Sequence, residues 1–140
     1  MGSINDVMEA FRRAPTNYDR GALFERLMLR YFQLDPALSQ QYEQVWLWSD
    51  WPDRKGKPDT GIDLVARERD TGDYTAIQCK FYEPTHTLAK GDIDSFFNAS
   101  GKKPFTNRVI ISTTDKWGKN AEDALGDQHT PVQRIGMADI

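Results

Sequence analysis

The sequence has few of the features that would assign it to several large classes of protein. Its 140 residues include a single cysteine, Cys79, which excludes an internal disulfide and a zinc site built from cysteines. It has no apolar run near the roughly 18 residues of a membrane-spanning helix. Residues 1–13 are too polar for a secretory signal peptide. The chain is therefore expected to be cytoplasmic and to have no membrane partner.

An excess of positive charge is also missing. The 18 lysines and arginines are outnumbered by 21 acidic residues, which gives a net charge of -3. This balance neither supports nor excludes a nucleic-acid partner. Basic residues do cluster on both sides of the central part of the chain: Arg54, Lys55 and Lys57 before it, and Lys102, Lys103 and Arg108 after it. Such clusters are more often solvated loops than binding sites.

The order of the apolar patterns predicts one α/β domain. Two helices come first, and the second runs from a capping signal at Thr16 to Leu34, with Pro36 ending it. Strands are then predicted at 44–51, 62–69, 74–82, 108–114 and 132–135, and helices at 92–99 and 117–125. The chain has no internal repeat or linker, so residues 1–140 are expected to form a single domain. The abrupt end at Ile140 suggests the N-terminal fragment of a longer multidomain protein.

The stretch Gly61–Tyr82 carries the polar residues with the clearest chemical meaning. It predicts two strands joined by a short turn, with Asp63 on the first and Gln78 and Lys80 on the second. Gln78 and Lys80 are two residues apart and therefore share one side of their strand. The Asp63 carboxylate, the Gln78 amide oxygen and the backbone carbonyl of Cys79 are ligands that Mg²⁺ prefers. Lys80 would then orient a water molecule or stabilise developing negative charge.

A simpler interpretation pairs Asp63 with Lys80 as an ordinary cross-strand ion pair. Three features favour the metal site: the close backbone approach allowed by Gly61, the single hairpin that makes the residues laterally adjacent, and the polar interruption of otherwise covered strands. Glu25 lies at the edge of the apolar stripe of the second helix. It either reaches water or a nearby arginine, or points into the strand ends as a second carboxylate.

These residues together resemble a known nuclease family. G-I-D-L-V-A, a hairpin and A-I-Q-C-K-F-Y are similar to the core of PD-(D/E)xK nucleases in the QxK branch of Mrr-like restriction enzymes. G-A-L-F-E resembles the family's helix-borne G-x-x-F-E, and V-I-I-S-T-T resembles its fourth strand. The resemblance covers about residues 17–125. It implies a restriction-endonuclease-like fold, a mixed β-sheet of order αβββαβ flanked by helices.

The same resemblance assigns roles to four residues. Asp63 matches the metal-binding aspartate, Lys80 the catalytic lysine and Glu25 the helix carboxylate. Gln78 occupies the position usually held by Asp or Glu, and its lack of charge favours one bound metal over two. Asp59, after Pro58, matches the letters of the motif name, but it stands in a loop of turn formers, so Asp63 is preferred.

In finer detail the chain is similar to the N-terminal nuclease domain of large single-chain restriction-modification enzymes, including the Type ISP class. The resemblance implies Mg²⁺ as cofactor with Mn²⁺ as a substitute, double-stranded DNA as substrate, and covalently linked helicase-like ATPase and methyltransferase domains that supply specificity. Two alternatives stay open. One is a DNA-binding or docking module with a degenerate nuclease fold, and the other is a structure-specific repair or junction nuclease.

The remaining polar and aromatic residues support only secondary predictions. Residues expected near DNA phosphates are Arg54, Lys55, Lys57, Thr113 and Lys116. The two histidines, His86 and His129, stand alone in predicted loops and are expected to be surface residues. Tryptophans 46, 48 and 51 are expected in the core rather than stacked on bases.

Overall fold

A five-stranded mixed β-sheet forms the centre of the computed structural model, which describes residues 4–14, 16–54 and 61–139. Within those ranges the α-helices are α1 (Ile4–Arg12), α2 (Asn17–Leu34), α3 (Pro36–Gln41), α4 (Lys90–Ser100) and α5 (Lys119–Gly126). The strands are β1 (Tyr42–Leu47), β2 (Leu64–Glu68), β3 (Tyr74–Lys80), β4 (Thr87–Leu88), β5 (Phe105–Ser112), β6 (Lys116–Trp117) and β7 (Val132–Ile135). The mixed α/β architecture flanked by helices confirms the predicted fold class.

The sheet order is β1-β2-β3-β5-β7, with a separate small parallel pair formed by β4 and β6. Strands β1, β2 and β3 are antiparallel neighbours, whereas β5 and β7 run parallel to β3. In the register of β3 and β5, Gln78 lies opposite Ile110 and Lys80 lies opposite Ser112. The polar residues of β3 therefore lie at its C-terminal end, next to the buried central strand β5.

Helices cover both faces of the sheet, because side chains alternate along each strand. One core layer joins α1 and α2 to the sheet, and its fully buried side chains include Met8, Phe24, Met28, Phe32, Leu64, Ile77 and Ile111. The other layer joins α4 and α5 to the opposite face, through Trp51, Val65, Ala76, Phe96, Ile110 and Ala121 among others. Strand β5 contributes to both layers, as its continuous apolar sequence predicts.

The boundaries of α2 follow the predicted signals. The Thr16 side chain accepts a hydrogen bond from the Asp19 backbone N–H at 3.0 Å, which caps the first turn. The helix ends at Leu34, before Pro36. Pro36 does more than end it, however, because it occupies the first turn of α3, a helix that the sequence pattern did not predict. Proline suits this position, where a helix needs no backbone donor.

Three predicted strands are shorter in the structure, among them β3, which ends at Lys80 rather than at residue 82. β1 ends at Leu47 and Trp48–Asp50 forms a 3₁₀ turn, so Trp48 and Trp51 lie in the same core layer rather than on opposite faces. Strand β2 begins at Leu64, and Ile62 packs in the α4 layer while Leu64 packs in the α2 layer. Among the described residues, no helix is both long and apolar enough to cross a membrane.

Candidate active site

Asp63 is fixed immediately before β2 by bonds to both neighbouring strands. Its backbone N–H donates to the Ile77 carbonyl at 2.9 Å, and its own carbonyl accepts from the Trp48 N–H at 2.9 Å. Its side-chain Oδ2 accepts from the Cys79 backbone N–H at 2.8 Å. The Asp63 carboxylate is therefore held near the end of β3, at Cys79, the residue between Gln78 and Lys80.

Glu25 comes to the same region from α2. Burial raises the pKa of the Cys79 thiol well above its ordinary value, and the negative charges of Asp63 and Glu25 raise it further. Both carboxylates therefore lie within Coulomb range of the same thiol. The packing of α2 on the sheet thus places two acidic residues that are far apart in the sequence in the surroundings of Cys79.

Gln78 has an unusual hydrogen-bonding state for a buried side chain. It is 3% exposed, and its Nε2 donates to the Gly61 carbonyl at 3.2 Å. Its Oε1 is buried and has no hydrogen-bond partner in the described part of the chain. An unsatisfied buried polar atom costs about 1–3 kcal/mol. An amide oxygen in this state fits a ligand for a hard cation, which prefers such oxygens.

Gly61 is required where it stands. Its φ of 95° lies in the left-handed region, and an added Cβ would come within 3.0 Å of the Ser95 Cβ and 3.1 Å of the Phe96 backbone nitrogen. Any side chain here would force the segment away from α4. Gly61 therefore positions the carbonyl that accepts from Gln78, and it positions Asp63 two residues later. The close backbone approach at Gly61 is the one that the sequence suggested.

Lys80 ends β3 and is half-buried. Its carbonyl accepts from the Thr113 N–H at 3.1 Å, which continues the pairing with β5. Within the described part of the chain, its ammonium group makes no ion pair. The ordinary cross-strand pair between Asp63 and Lys80 is therefore absent from this structure. The side chain lines an open cleft instead, beside the ends of α1 and α2.

The residues near the end of β3 could bind a hard metal ion only through oxygen atoms. In the described ranges no group of three or more His, Cys, Asp or Glu side chains could hold a metal ion. A site here therefore needs more than its two carboxylates, Asp63 and Glu25. The Gln78 amide oxygen and the Cys79 backbone carbonyl are the further oxygens expected from the sequence, and the unpartnered state of Gln78 Oε1 agrees with this expectation.

The residues expected to contact DNA are placed less favourably. Thr113 is 4% exposed, and its hydroxyl donates to the Tyr82 carbonyl and accepts from the Tyr82 N–H, both at 2.7 Å. It joins the end of β5 to the segment after β3 and offers no free face to a phosphate. The Arg54 Nε donates to the Ser49 carbonyl at 3.1 Å. Lys116 is exposed in β6, and Lys55, Lys57 and Asp59 lie outside the described residues.

His86 is the residue whose surroundings the sequence did not predict. Its ring stacks on Tyr82 with centroids 4.0 Å apart, and its Nε2 lies 3.4 Å from Asp92 Oδ2. It lines the same cleft as Lys80. The expected surface position holds for His129, which is exposed, but not for the half-buried His86. Only the path of the loop after β3 produces these contacts, and no local spacing signals them.

Comparisons with known proteins find a matching family model and a similar solved structure. A family model described as restriction endonuclease matches residues 33–140, a range that contains Asp63, Gln78 and Lys80. The structure is also similar to the ATP-dependent Type ISP restriction-modification enzyme LlaBIII bound to DNA, with 29% sequence identity and a TM-score of 0.79. That match covers 99% of this chain and 8% of the other, so this chain corresponds to a small part of that enzyme. A comparison with curated proteins finds no match.

Proposed function

The chain belongs to the restriction endonuclease family, and from that premise we propose that it is a divalent-metal-dependent nuclease domain that hydrolyses the phosphodiester bonds of double-stranded DNA. The observation that carries the proposal is the hydrogen bond that holds the Asp63 carboxylate at Cys79, between Gln78 and Lys80 of β3, while the charge of Glu25 also acts on Cys79. Two carboxylates and an ammonium group that has no ion pair with a described residue would make a site that can hold a cation and stabilise a phosphate.

Each residue has a role that its surroundings support. Asp63, Glu25 and Gln78 would hold the cation, with the carbonyl of Cys79. When bound, Mg²⁺ or Mn²⁺ supplies charge neutralisation at the phosphate and a more acidic water. The hydrogen bond from the Cys79 N–H keeps the Asp63 carboxylate from turning away from the site. The neutral amide of Gln78 leaves two charged ligands, which favours one metal ion over two.

The role assigned to Lys80 is to stabilise the negative charge that develops on the phosphate. Its ammonium has no ion pair with a described residue that would have to break first, and it is half-buried, where its charge is less screened than in bulk water. Preorganised charge of this kind is commonly the largest single contribution to a hydrolytic reaction.

We also propose that the domain acts inside a longer protein. LlaBIII is described as an ATP-dependent restriction-modification enzyme bound to DNA, and this chain matches 8% of it. A helicase-like ATPase and a methyltransferase on the same polypeptide would then deliver the domain to its target. The net charge of -3 supports delivery by other domains, because an acidic domain binds DNA weakly by itself.

The test is a plasmid-nicking assay with Mg²⁺ or Mn²⁺, paired with calorimetry of Mn²⁺ binding. We expect nicked or linear plasmid only with metal, and complete loss of cleavage when the metal is chelated. Asp63→Asn should lose cleavage and bind Mn²⁺ more weakly, while Asp73→Asn, at the exposed hairpin turn, should match the wild type.

Three outcomes separate this function from its alternatives. DNA binding without Mn²⁺ binding or cleavage would identify a degenerate docking module. Faster cleavage of branched DNA than of linear duplex would identify a structure-specific nuclease. Cleavage that survives metal chelation would contradict the proposed chemistry altogether.

A further inference from the structure

We propose that the cleft beside Lys80 holds the DNA backbone next to the scissile phosphate, and that His86 contacts a phosphate there. The cleft has a volume of about 350 Å³, and its polar lining includes Arg12, Arg20, Lys80, Glu83 and His86. This inference rests on the proposed nuclease function and adds substrate-positioning residues to it. None of Arg12, Arg20 and His86 belongs to the predicted metal site.

The charge of the cleft is opposite to that of the chain. Its lining has three permanent cations against one carboxylate, a balance of +2 with His86 neutral, whereas the whole chain carries -3. The carboxylate, Glu83, pairs with Arg12 Nε at 3.5 Å, so the remaining positive charge of the lining belongs to Arg20 and Lys80. Concave surfaces of one sign concentrate the opposite charge, and a nucleic-acid backbone is the strongest common polyanion.

The two arginines are each held in place by bonds to neighbouring residues. The Arg20 Nε donates to the Ala14 carbonyl at 3.2 Å. Arg12 donates from Nη2 to the Tyr82 carbonyl at 3.3 Å, and it pairs with Glu9 at 2.6 Å. Its side chain is only 12% exposed. Guanidinium groups fixed in this way lose little entropy when they bind a phosphate.

His86 is oriented by two neighbours before any ligand arrives. Tyr82 stacks on one face of its ring with an interplanar angle of 24°, and Asp92 lies beside its Nε2. Asp92 is itself fixed, since it accepts from the Ala89 N–H at 2.8 Å and from the Tyr82 hydroxyl at 3.3 Å. With Nε2 at Asp92, the second ring nitrogen, Nδ1, has no hydrogen bond to a described residue. Because a phosphate only accepts hydrogen bonds, it can be bound at Nδ1 by the imidazolium form, in which both ring nitrogens donate.

The cleft is continuous with the proposed reaction centre. Gly21, which lines it, is four residues before Glu25 on α2, so the two lie on one face of that helix. Lys80 belongs to both the cleft and the catalytic strand. A Cβ added at Gly21 would meet no atom within 4 Å, so this part of the path is open. A backbone that passes Arg20 and His86 would reach Lys80 and then the carboxylates.

The test is fluorescence anisotropy of a labelled duplex of about two helical turns, titrated at several salt concentrations with Ca²⁺ in place of Mg²⁺. Arg20→Ala should weaken binding by about tenfold and lower the slope of log affinity against log salt by about one. His86→Ala should weaken binding as well. The matched controls are Arg30→Ala, on the exposed side of α2, and His129→Ala, at the exposed histidine.

A second pair of variants keeps the test independent of lost side-chain packing. Gly21→Glu and Gly21→Gln add side chains of similar size to the open path, and only the first adds negative charge. We expect Gly21→Glu to bind DNA more weakly than Gly21→Gln. Arg20→Lys should recover part of the salt slope that Arg20→Ala loses.

The outcomes distinguish this inference from the proposed function. If wild type cleaves DNA while Arg20→Ala and His86→Ala match their controls in affinity and slope, the cleft assignment is overturned and the nuclease function stands. If wild type neither cleaves DNA nor binds Mn²⁺, the nuclease function fails, and the salt slopes still report whether the cleft binds a backbone.

Discussion

The two ends of the β2–β3 pair both carry polar side chains, but these side chains differ in how completely they are hydrogen-bonded. At the hairpin end, the Glu68 carboxylate accepts from the Asn107 amide at 2.8 Å and from the Thr71 hydroxyl at 3.3 Å. At the other end, Gln78 Oε1 is buried without a partner, and Lys80 makes no ion pair with a described residue. Polar groups that satisfy one another stabilise a fold, whereas the unpartnered groups at the other end are the ones that the proposed function assigns to a ligand.

The difference between the two ends of the β2–β3 pair also affects the stability of the fold. A satisfied hydrogen bond contributes about 0.5–1.5 kcal/mol to stability, and a buried unsatisfied group costs about 1–3 kcal/mol. The proposed active site therefore lowers the stability of the apo domain, and the hairpin end offsets part of that loss. Substitutions at the two ends should consequently separate function from stability.

The largest expected effect is at Lys80. Lys80→Met removes the ammonium group and keeps most of the apolar stem, so cleavage should fall by about 10²–10³-fold, the usual loss for one preorganised charge. Thermal stability should stay the same or rise, because no ion pair is lost. Single-turnover plasmid cleavage and thermal denaturation measure the two quantities. Lys119→Met, at a lysine exposed on α5, is the control. Full activity in Lys80→Met would contradict the assigned role.

Glu68 should show the reverse pattern. Glu68→Ala leaves Asn107 and Thr71 without their acceptor, and the free energy of unfolding should fall by about 1–3 kcal/mol. Cleavage below the melting temperature should not change. Urea denaturation and the nicking assay check this, with Asp70→Ala at the exposed turn for comparison. A loss of cleavage without a loss of stability would show that the hairpin end is not merely structural.

Gln78→Glu tests whether the unpartnered oxygen faces the cation. A third carboxylate should tighten Mn²⁺ binding by about tenfold, because an additional anionic ligand raises the attraction for a divalent ion. In the absence of metal, the same change should destabilise the fold through repulsion from Asp63 and Glu25. Calorimetry with Mn²⁺ gives the affinity, and Gln133→Glu, on an exposed position of β7, is the control. Unchanged affinity would remove Gln78 from the site.

The smallest expected effect concerns Asp92, a carboxylate satisfied in the same way as Glu68. Burial acts to raise the pKa of Asp92, but hydrogen bonds from the Ala89 N–H, His86 and Tyr82 lower it below its ordinary value overall. A lowered pKa means that folding favours the carboxylate. Its stabilisation is therefore present above the unfolded-state pKa of about 4 and is lost as the pH falls through the folded-state pKa.

Asp92→Asn should accordingly lower the free energy of unfolding by about 1 kcal/mol at pH 7 and by less at pH 3. Denaturant titrations at the two pH values measure the difference, with Asp127→Asn at an exposed position as the reference. A constant difference between pH 7 and pH 3 would mean that the charge of Asp92 does not contribute to stability.

Much of the fold was predictable because its signals are local. The cap at Thr16, the apolar stripe of α2, the hairpin after β2 and the strand at Val132–Ile135 each depend on residues close together in the sequence. The errors occurred where tertiary packing decided between local options. Trp48 and Trp51 have strand propensity, but a 3₁₀ turn places both in the α4 layer. The two-residue strands β4 and β6 are too short to leave any pattern.

The sequence by itself determined that Gln78 and Lys80 lie two residues apart on the same strand. It also determined that a single hairpin connects this strand to the segment that carries Asp63. Strand alternation and turn chemistry act over a few residues, and they suffice for that much. Only the tertiary structure placed Glu25 and Asp63 within Coulomb range of Cys79, and Arg20 and His86 in one cleft with Lys80. These positions depend on how α1, α2 and the loop after β3 pack against the sheet. Such packing is set by long-range burial of apolar surface, which no local spacing records.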